Sequence, residues 1–354
     1  MPICAVYGAN ASGKSNVLDA LAFMRRAVLD SFSHWDPIGG VPREPFASSP
    51  GESSFGVDLR IDGVRHVYGF AVDDRHVLEE WLFTYPHGRR RVLFERHGSQ
   101  ISFGDSFKGP RSTFEELTRS NALFLSVAAH LASERLLPVY GWFKESVSLA
   151  DPADSWERRK VSLSLFTREP DRVVSLLRAA DLGIDGMRVE STDLAGRSRI
   201  TFRHCAGFDL PFEDESRGTQ IWFDHLGVIL HALDTGTLLA VDELDRSLHP
   251  LLVREFVRLF RSPATNPRGA QLVFTTHDAS LLSRHRGEEL LDRDEVWFTE
   301  KDQDGATAVF PLTDFKPRQG LNWERRYLGG AVRAVPFLDE EVFQNAARQE
   351  TAHG

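Results

Sequence analysis

The sequence has 354 residues, of which 42% are hydrophobic and 26% charged, an ordinary balance for a water-soluble globular chain with a sizeable buried core. Its formal net charge of −9 argues against nonspecific coating of DNA, although a local basic groove is compatible with this charge. No run approaches the roughly 18 apolar residues of a membrane helix and no signal-peptide pattern is present, so we expect a cytoplasmic protein that does not contact a membrane.

The chain starts with a short apolar segment, residues 3–7, that predicts a buried strand. The next residues match the phosphate-binding pattern G-x-x-x-x-G-K-[ST]: Gly8, Ala9, Asn10, Ala11, Ser12, Gly13, Lys14, Ser15, followed by Asn16. Apolar residues then recur at helical spacing between Val17 and Leu29. Strand, glycine-rich turn and helix form the context that this P-loop motif requires, and a chance glycine turn would not need it.

The P-loop predicts a site for a nucleoside triphosphate. We expect the backbone N–H groups of residues 8–16 to bind phosphates, because the N-terminus of the following helix favours negative charge. Lys14 is predicted to reach the β- and γ-phosphates, and the Ser15 hydroxyl to be a Mg²⁺ ligand. The predicted cofactors are therefore ATP and Mg²⁺, and the sequence leaves GTP open as an alternative to ATP.

Residues 34–51 are rich in proline and glycine and predict a loop that leaves the nucleotide-binding part. Four runs with strand character follow within residues 52–104: 55–61, 64–72, 77–85 and 91–96. Asp62-Gly63 between the first two predicts a hairpin with a type I′ turn. The region is therefore interpreted as an antiparallel β-meander.

Residues 110–182 predict a helical subdomain, with two or three helices before residue 149, interrupted near Pro138, and a shorter helix over 171–180. Segments 187–190 and 199–204 predict strands that return to the main sheet. Further elements are predicted as a helix over 220–233, a strand over 238–242, a helix over 250–260, and strands over 271–276, 295–300 and 307–312. The fold class is α/β, a single domain over 1–354 whose nucleotide-binding core comprises 1–35 and 200–335.

The two cysteines, Cys4 and Cys205, are far apart in the sequence and lack the spacing of metal ligands. We expect two buried free thiols, as in a protein of a reducing compartment. A disulfide between them is the alternative that the sequence leaves open.

Two acids, Asp242 and Glu243, stand at the C-terminal end of the strand predicted over 238–242. A buried strand carries the first carboxylate to its C-terminal edge, beside the P-loop, where Asp242 can hold Mg²⁺. Glu243 can orient or deprotonate the attacking water as a general base. The pattern alone fits a solvated acidic turn equally well, and the P-loop upstream favours the catalytic interpretation.

Asp242-Glu243-Leu244-Asp245 followed by Ser247-Leu248-His249-Pro250 resembles the Walker B motif and D-loop of ABC-type ATPases. The resemblance implies that Asp245 lies at a dimer interface. Thr275-Thr276-His277-Asp278 resembles the switch-histidine segment, which implies that His277 hydrogen-bonds the γ-phosphate. A lone histidine at a strand end is more commonly structural, but its place on the next core strand favours the switch role.

Glu215-Ser216-Arg217-Gly218-Thr219-Gln220 resembles the ABC signature motif in its S-x-G-T form. Ser216 is predicted to cap the following helix, and Gly218 to let the backbone approach an anion closely. In ABC-type dimers this segment contacts the γ-phosphate bound by the opposite subunit. The resemblance therefore implies a head-to-tail homodimer with two composite ATP sites, and a simple N-cap is the alternative.

Taken together, the motifs resemble AAA-type ATPases of the abortive-infection (AbiLi-like) class, which are related to the ATPase half of OLD-family nucleases. The resemblance is carried by residues 7–16, 242–244, 248–250, 271–278, 293–298, 300–302, 314–316 and 327–330. It implies an ABC-ATPase-like mixed sheet flanked by helices, and a role as the ATPase of a bacterial antiphage defence system. Because no Toprim-like acidic cluster follows residue 300, we expect the effector, commonly a nuclease, to be a separate protein encoded nearby.

Two other functions are compatible with a P-loop. A RecF/SMC-like DNA-repair or chromosome-maintenance ATPase would need a DNA-binding groove, and the compact basic clusters, 89–91 and 158–160, are more commonly solvated turns. A transporter nucleotide-binding subunit is disfavoured by the long separation of Ser15 from Ser216 and by the lack of a recognisable Q-loop glutamine. A non-enzymatic binding module is disfavoured because Lys14 occurs together with the acids and His277.

Overall fold

The P-loop follows an inner strand of a mixed sheet. The structure is a computed structural model, and it describes residues 2–48, 51–105, 107, 110–150, 155–191, 198–285, 287–316, 322–332, 334–335 and 340–347. Residues 49–50 of the predicted loop and 151–154 of the predicted helical subdomain lie outside these ranges. No helix within them is both long enough and apolar enough to cross a membrane.

The strands of the described ranges are numbered in chain order. They are β1 (Ile3–Gly8), β2 (Ser53–Ile61), β3 (Val64–Val72), β4 (Val77–Tyr85), β5 (Arg91–His97), β6 (Gln100–Phe103), β7 (Val147–Ala150), β8 (Ile184–Ser191), β9 (Ser198–His204), β10 (Asp209–Pro211), β11 (Leu238–Val241), β12 (Gln271–Thr276), β13 (Val296–Lys301) and β14 (Thr307–Pro311).

The α-helices are numbered in the same way. They are α1 (Lys14–Asp30), α2 (Arg111–Leu117), α3 (Phe124–His130), α4 (Leu137–Glu145), α5 (Ser155–Arg168), α6 (Pro170–Ala179), α7 (Arg217–Thr235), α8 (Pro250–Arg261), α9 (Trp323–Leu328) and α10 (Glu340–Ala347). The helical stretch is interrupted near Pro138, as predicted: α3 ends at His130 and α4 begins at Leu137, with Pro138 in its first turn.

The main sheet has the order β14-β13-β1-β12-β11-β7. Its neighbours pair in parallel from β13 to β7, and β14 is the antiparallel edge. The P-loop therefore leaves β1 at the same edge where β11 and β12 end, because the carboxyl ends of parallel strands meet there. This arrangement confirms the predicted α/β class with a mixed sheet.

Helices α7 and α8 pack together in the core that includes the main sheet. The ring of Trp222 on α7 stacks on Phe256 of α8 with a centroid distance of 4.3 Å. Both residues belong to a cluster of buried side chains that also contains Leu239 of β11 and Phe274 of β12. Burying such side chains stabilises the fold by about 1.5–3 kcal/mol each.

The β-meander is a separate antiparallel sheet with the order β2-β3-β4-β5-β6. Asp62 and Gly63 both have positive φ, 48° and 79°, as the predicted type I′ hairpin turn requires. The meander packs on α1, whose Phe23 and Val28 lie in the same buried cluster as Phe70 of β3. The β-meander therefore packs against α1, the helix that starts at the P-loop.

Two segments pair differently from the sequence-based expectation. β8 and β9, predicted to return to the main sheet, form a separate sheet with the order β10-β9-β8. In β9, Ile200 and Phe202 are buried, whereas the residues next to them on the strand, Arg199, Thr201 and Arg203, are exposed or partly exposed. This alternation is typical of an antiparallel strand with one solvated face. Conversely, β7 lies in a stretch predicted to be helical and pairs in parallel with β11.

The cysteine prediction is half wrong. Both thiols are free, but Cys205 is exposed and Cys4 is partly buried. Burial and then the charge of Glu295 raise the pKa of Cys4 to about 11, so this thiol stays protonated at neutral pH.

Candidate functional site

The P-loop forms a tight turn between β1 and α1. Gly13 precedes α1 with a φ of 93°, a left-handed conformation that glycine adopts readily. A Cβ atom at Gly13 would lie 2.2 Å from the Oγ1 atom of Thr307, so the position also has no room for a side chain. Both constraints explain why glycine is required where the loop enters the helix.

Lys14 is buried and its ammonium group donates hydrogen bonds to the carbonyl oxygens of Gly8 and Ala9, each at 3.0 Å. Burial lowers the pKa of Lys14, while the carboxylates of Asp242 and Glu243 oppose this shift. The lysine ammonium is therefore held inside the turn by two backbone carbonyl groups of the loop.

Asp242 follows β11 and accepts a hydrogen bond of 2.9 Å from the Ser15 hydroxyl. Its other carboxylate oxygen accepts one of 2.5 Å from the hydroxyl of Thr275, which in turn accepts one of 2.7 Å from the backbone N–H of Glu243. The buried Thr275 on β12 thus sets the orientation of Asp242 and fixes the backbone of the residue after it. In the sequence, Thr275 belongs to the segment that resembles the switch-histidine motif, but no role for its own side chain is predicted from it.

The Ser15 hydroxyl and the Asp242 carboxylate are oxygen donors of the kind that Mg²⁺ prefers. Among the described residues, no group of three or more His, Cys, Asp or Glu side chains is arranged to hold a metal by itself. Mg²⁺ commonly binds to one or two protein oxygens and fills its other positions with water and phosphate oxygens. The donor pair therefore fits this ion.

A cleft of about 460 Å³ opens over the P-loop. Its lining residues are Asn10, Ala11, Gly13, Lys14, Ser15, Asn16, Glu243, His277 and Lys301. Glu243 has a φ of 49°, an uncommon backbone conformation for this residue type. Desolvation, followed by the charge of Lys14, lowers the pKa of His277, so its imidazole is neutral at pH 7.

Four other residues predicted for the site, Ser12, Asp245, Ser216 and Gly218, are not among the described residues that line this cleft. Ser12, within the loop, is buried, and its hydroxyl lies 2.6 Å from that of Thr299. Asp245 accepts a hydrogen bond of 3.2 Å from the backbone N–H of His277.

Ser216 caps α7, as predicted, by accepting a hydrogen bond of 3.2 Å from the backbone N–H of Thr219. A Cβ atom at Gly218 would lie 3.0 Å from the carbonyl oxygen of Ser247, so the signature-like segment packs closely on the turn after Asp245. Both Ser216 and Arg217 are exposed. The segment thus presents a helix N-terminus at the surface.

The two basic clusters are partly neutralised by acids of the same chain, although Arg89 and Arg91 are exposed. Arg158 is buried, Arg159 pairs with Asp224 at 2.9 Å, and Lys160 pairs with Glu157. In the other cluster, Arg90 pairs with Glu95 at 3.0 Å. Much of their charge is therefore compensated within the chain.

The parallel-dominated sheet, the P-loop at the carboxyl end of β1 and the acids after β11 define the chain as an AAA/ABC-type P-loop ATPase domain. Residues 3–283 match the protein family described as "AAA domain, putative AbiEii toxin, Type IV TA system", and the chain belongs to this family. Comparison of the sequence with curated proteins gives no match.

Among solved structures, the chain is similar to the SMC head domain from Thermotoga maritima, with 15% identity, 87% of this chain and 89% of that chain covered, and a TM-score of 0.39. It is also similar to an Smc head bound to the C-terminal winged-helix domain of ScpA, with 15% identity, coverage of 88% and 90%, and a TM-score of 0.42. An Smc head with an extended coiled coil from Pyrococcus furiosus gives 12% identity, coverage of 94% and 93%, and a TM-score of 0.38. The class assignment rests on the sheet order, the P-loop and the family match.

Proposed function

We propose that this chain binds and hydrolyses ATP with Mg²⁺ as a switch that works as a head-to-tail homodimer. The observation that carries the proposal is the 2.9 Å hydrogen bond between Ser15 and Asp242. It joins the phosphate loop to the acid after β11, and Glu243 and His277 line the cleft above the same loop. A phosphate-binding turn, a metal-binding oxygen pair, an acid and a neutral imidazole are the groups that phosphoanhydride hydrolysis needs.

Each residue has a distinct role in this proposal. The N–H groups of the loop and Lys14 bind the phosphates, and Lys14 exchanges its two carbonyl acceptors for phosphate oxygens. Ser15 and Asp242 hold Mg²⁺, which when bound neutralises charge on the phosphates. Glu243 orients the attacking water and accepts its proton, and His277 donates a hydrogen bond to the γ-phosphate.

The homodimer is proposed because the signature-like segment does not line the cleft of its own chain. Ser216, Gly218 and the nearby Asp245 would complete the site of a second copy, where the N-terminus of the 19-residue helix α7 favours the negative γ-phosphate. In such a dimer each ATP would be bound by the P-loop of one subunit and by the signature segment of the other.

We also propose a role as the ATPase component of a bacterial antiphage defence system that works with a separate effector. Support comes from the family description, which names a toxin of a type IV toxin–antitoxin system. The resemblance of the motifs to abortive-infection ATPases points the same way. A phage challenge of cells that carry this gene with its neighbours tests the role: protection should be lost when Lys14 is replaced by alanine.

The substitution Glu243→Gln tests the catalytic assignment. It should lower the kcat of ATP hydrolysis by at least about 100-fold, because the general base is lost, and it should accumulate an ATP-bound dimer in light scattering. Glu255→Gln is the control, since Glu255 is an exposed acid on α8 that pairs with Arg258 at 2.6 Å. Undiminished hydrolysis by the Glu243→Gln variant would remove this residue from its role.

A mixing experiment tests the composite site. Lys14→Ala and Ser216→Arg should each be inactive alone. When they are mixed, half of the dimers contain one subunit of each kind, and one of their two sites combines an intact P-loop with an intact signature segment. We expect the mixture to recover about one quarter of wild-type activity. A mixture that stays inactive would show that the signature-like segment does not act across a dimer.

A separate DNA-binding measurement tests the RecF/SMC-like alternative. DNA binding that requires ATP and weakens with salt would favour it.

A further inference from the structure

Lys301, the last residue of β13, lines the cleft on the other side of the P-loop from Glu243 and His277. In the main sheet, β13 lies next to β1 on one side, and β12 and β11 follow on the other. The acids and His277 come from the ends of β11 and β12, whereas Lys301 comes from the end of β13. The cleft therefore has cationic side chains at two places: Lys14 inside the loop and Lys301 at its far flank.

The pairing of the strands shows which face of β13 meets the P-loop. Thr299 is level with Gly8 of β1, and its hydroxyl lies 2.6 Å from that of Ser12. Lys301 is paired with Thr307 of β14, whose hydroxyl donates a hydrogen bond of 3.0 Å to the carbonyl oxygen of Ser12. Because residues two apart on a strand, and residues directly opposite on neighbouring strands, share a face, Lys301 projects on the face that contacts the loop.

The turn after Lys301 is well ordered by its own hydrogen bonds. A carboxylate oxygen of Asp302 accepts bonds of 3.0 Å from the N–H of Asp304 and 2.8 Å from that of Ala306. The N–H of Asp302 also donates to the carbonyl oxygen of Ala306 at 2.9 Å. This turn fixes the backbone of Lys301, whose side chain is exposed and forms no ion pair with the described residues.

We propose that Lys301 binds the α- and β-phosphates of the nucleotide as a second cationic contact beside Lys14. The inference rests on the proposed function, in which ATP lies in this cleft with its γ-phosphate toward Asp242, Glu243 and His277. A cation on the opposite flank then meets the phosphates nearer the sugar. Since ATP and ADP share these phosphates, Lys301 holds both nucleotides and does not sense hydrolysis.

The test is the affinity of the Lys301→Met variant for ATP and for ADP, measured by calorimetry with Mg²⁺. Losing one charge-assisted hydrogen bond at an exposed position should raise both Kd values about tenfold and leave their ratio unchanged. In steady-state hydrolysis the KM for ATP should rise by a similar factor while kcat falls less than threefold, the pattern of an interaction made equally in ground and transition states. Lys301→Arg should restore most of the affinity, and Lys316→Met is the matched control, since this lysine does not line the cleft.

Each outcome decides between the proposals. Wild-type affinity for both nucleotides in the Lys301→Met variant would overturn the inference and leave the proposed function standing. A loss confined to ATP would also overturn it, because the contact would then be to the γ-phosphate. A wild-type protein that binds neither nucleotide would overturn the proposed function and, with it, the inference. Without nucleotide, the wild type and Lys301→Met should have the same melting temperature, since the replaced side chain is exposed. The increase in melting temperature on adding nucleotide should be smaller for Lys301→Met.

Discussion

Replacing Thr275 by valine tests whether one hydroxyl organises the acids of the site. Thr275 is fully buried, and its hydroxyl joins the Asp242 carboxylate, at 2.5 Å, to the backbone N–H of Glu243, at 2.7 Å. Valine has nearly the same shape, so the packing of β12 should be preserved. The substitution removes the acceptor of the Glu243 N–H and the donor to a charged carboxylate.

The expected loss follows from these two bonds. An unpaired buried N–H costs about 1–3 kcal/mol, and a hydrogen bond to a charged group contributes about 1.5–3 kcal/mol. Because Asp242 and Glu243 are both only partly buried, water replaces part of each contribution. We expect the free energy of unfolding to fall by about 2–3 kcal/mol in total.

The assay is denaturant unfolding followed by circular dichroism, with Thr275→Ser as the control that keeps the hydroxyl. Serine should lose only about 1 kcal/mol, for the missing methyl group. On the proposed function, the valine variant should also need more Mg²⁺ for half-maximal ATP hydrolysis, because Asp242 is no longer held toward Ser15. A valine variant as stable as the serine variant, with an unchanged Mg²⁺ requirement, would refute the reasoning.

Two further predictions concern buried groups that do not line the cleft over the P-loop. Glu80 is fully buried, lies 3.7 Å from Arg96 and accepts two backbone hydrogen bonds at the start of α3. Glu80→Ala should lower the free energy of unfolding, measured with denaturant, by about 3–5 kcal/mol, because it leaves the Arg96 charge unpaired. The control is Glu79→Ala at the exposed neighbouring position, which should lower it by less than about 1 kcal/mol. Burial lowers the pKa of His225 to about 3. Between about pH 6.5 and pH 3 the imidazole therefore stays neutral in the folded state but takes up a proton in the unfolded state. The contribution of the neutral, buried His225 to stability is present above about pH 6.5 and is lost as the pH falls toward 3. Between pH 7 and pH 5 the wild type should therefore lose about 2 kcal/mol more stability than His225→Phe, and equal losses in the two proteins would contradict the assignment.

Local chemistry in the sequence was enough to predict several features that the structure contains. The glycine of the P-loop next to α1, the positive φ angles of the Asp62-Gly63 turn and the Ser216 cap of α7 depend on residues within one or two turns of each other. The mixed α/β sheet also followed, because the strand runs that form most of it are apolar and flanked by turn signals. The division of the chain into a core and two insertions, and the roles of the site residues, stay predictions.

Only the tertiary structure decided which strands are neighbours and which side chains meet at the cleft. The four residues of β7 carry no local sign that they extend the main sheet beside β11. The prediction that the two strands after Gly183 join the main sheet is wrong, because they form a separate sheet with β10. Thr275 and Lys301 lie in segments that carry the family resemblance, 271–278 and 300–302, but nothing in the sequence gives either side chain a role at the site. They become candidates for the site because pairing of β12 and β13 with β1 brings them to the P-loop, and such long-range pairing depends on packing across the whole sheet rather than on any local pattern.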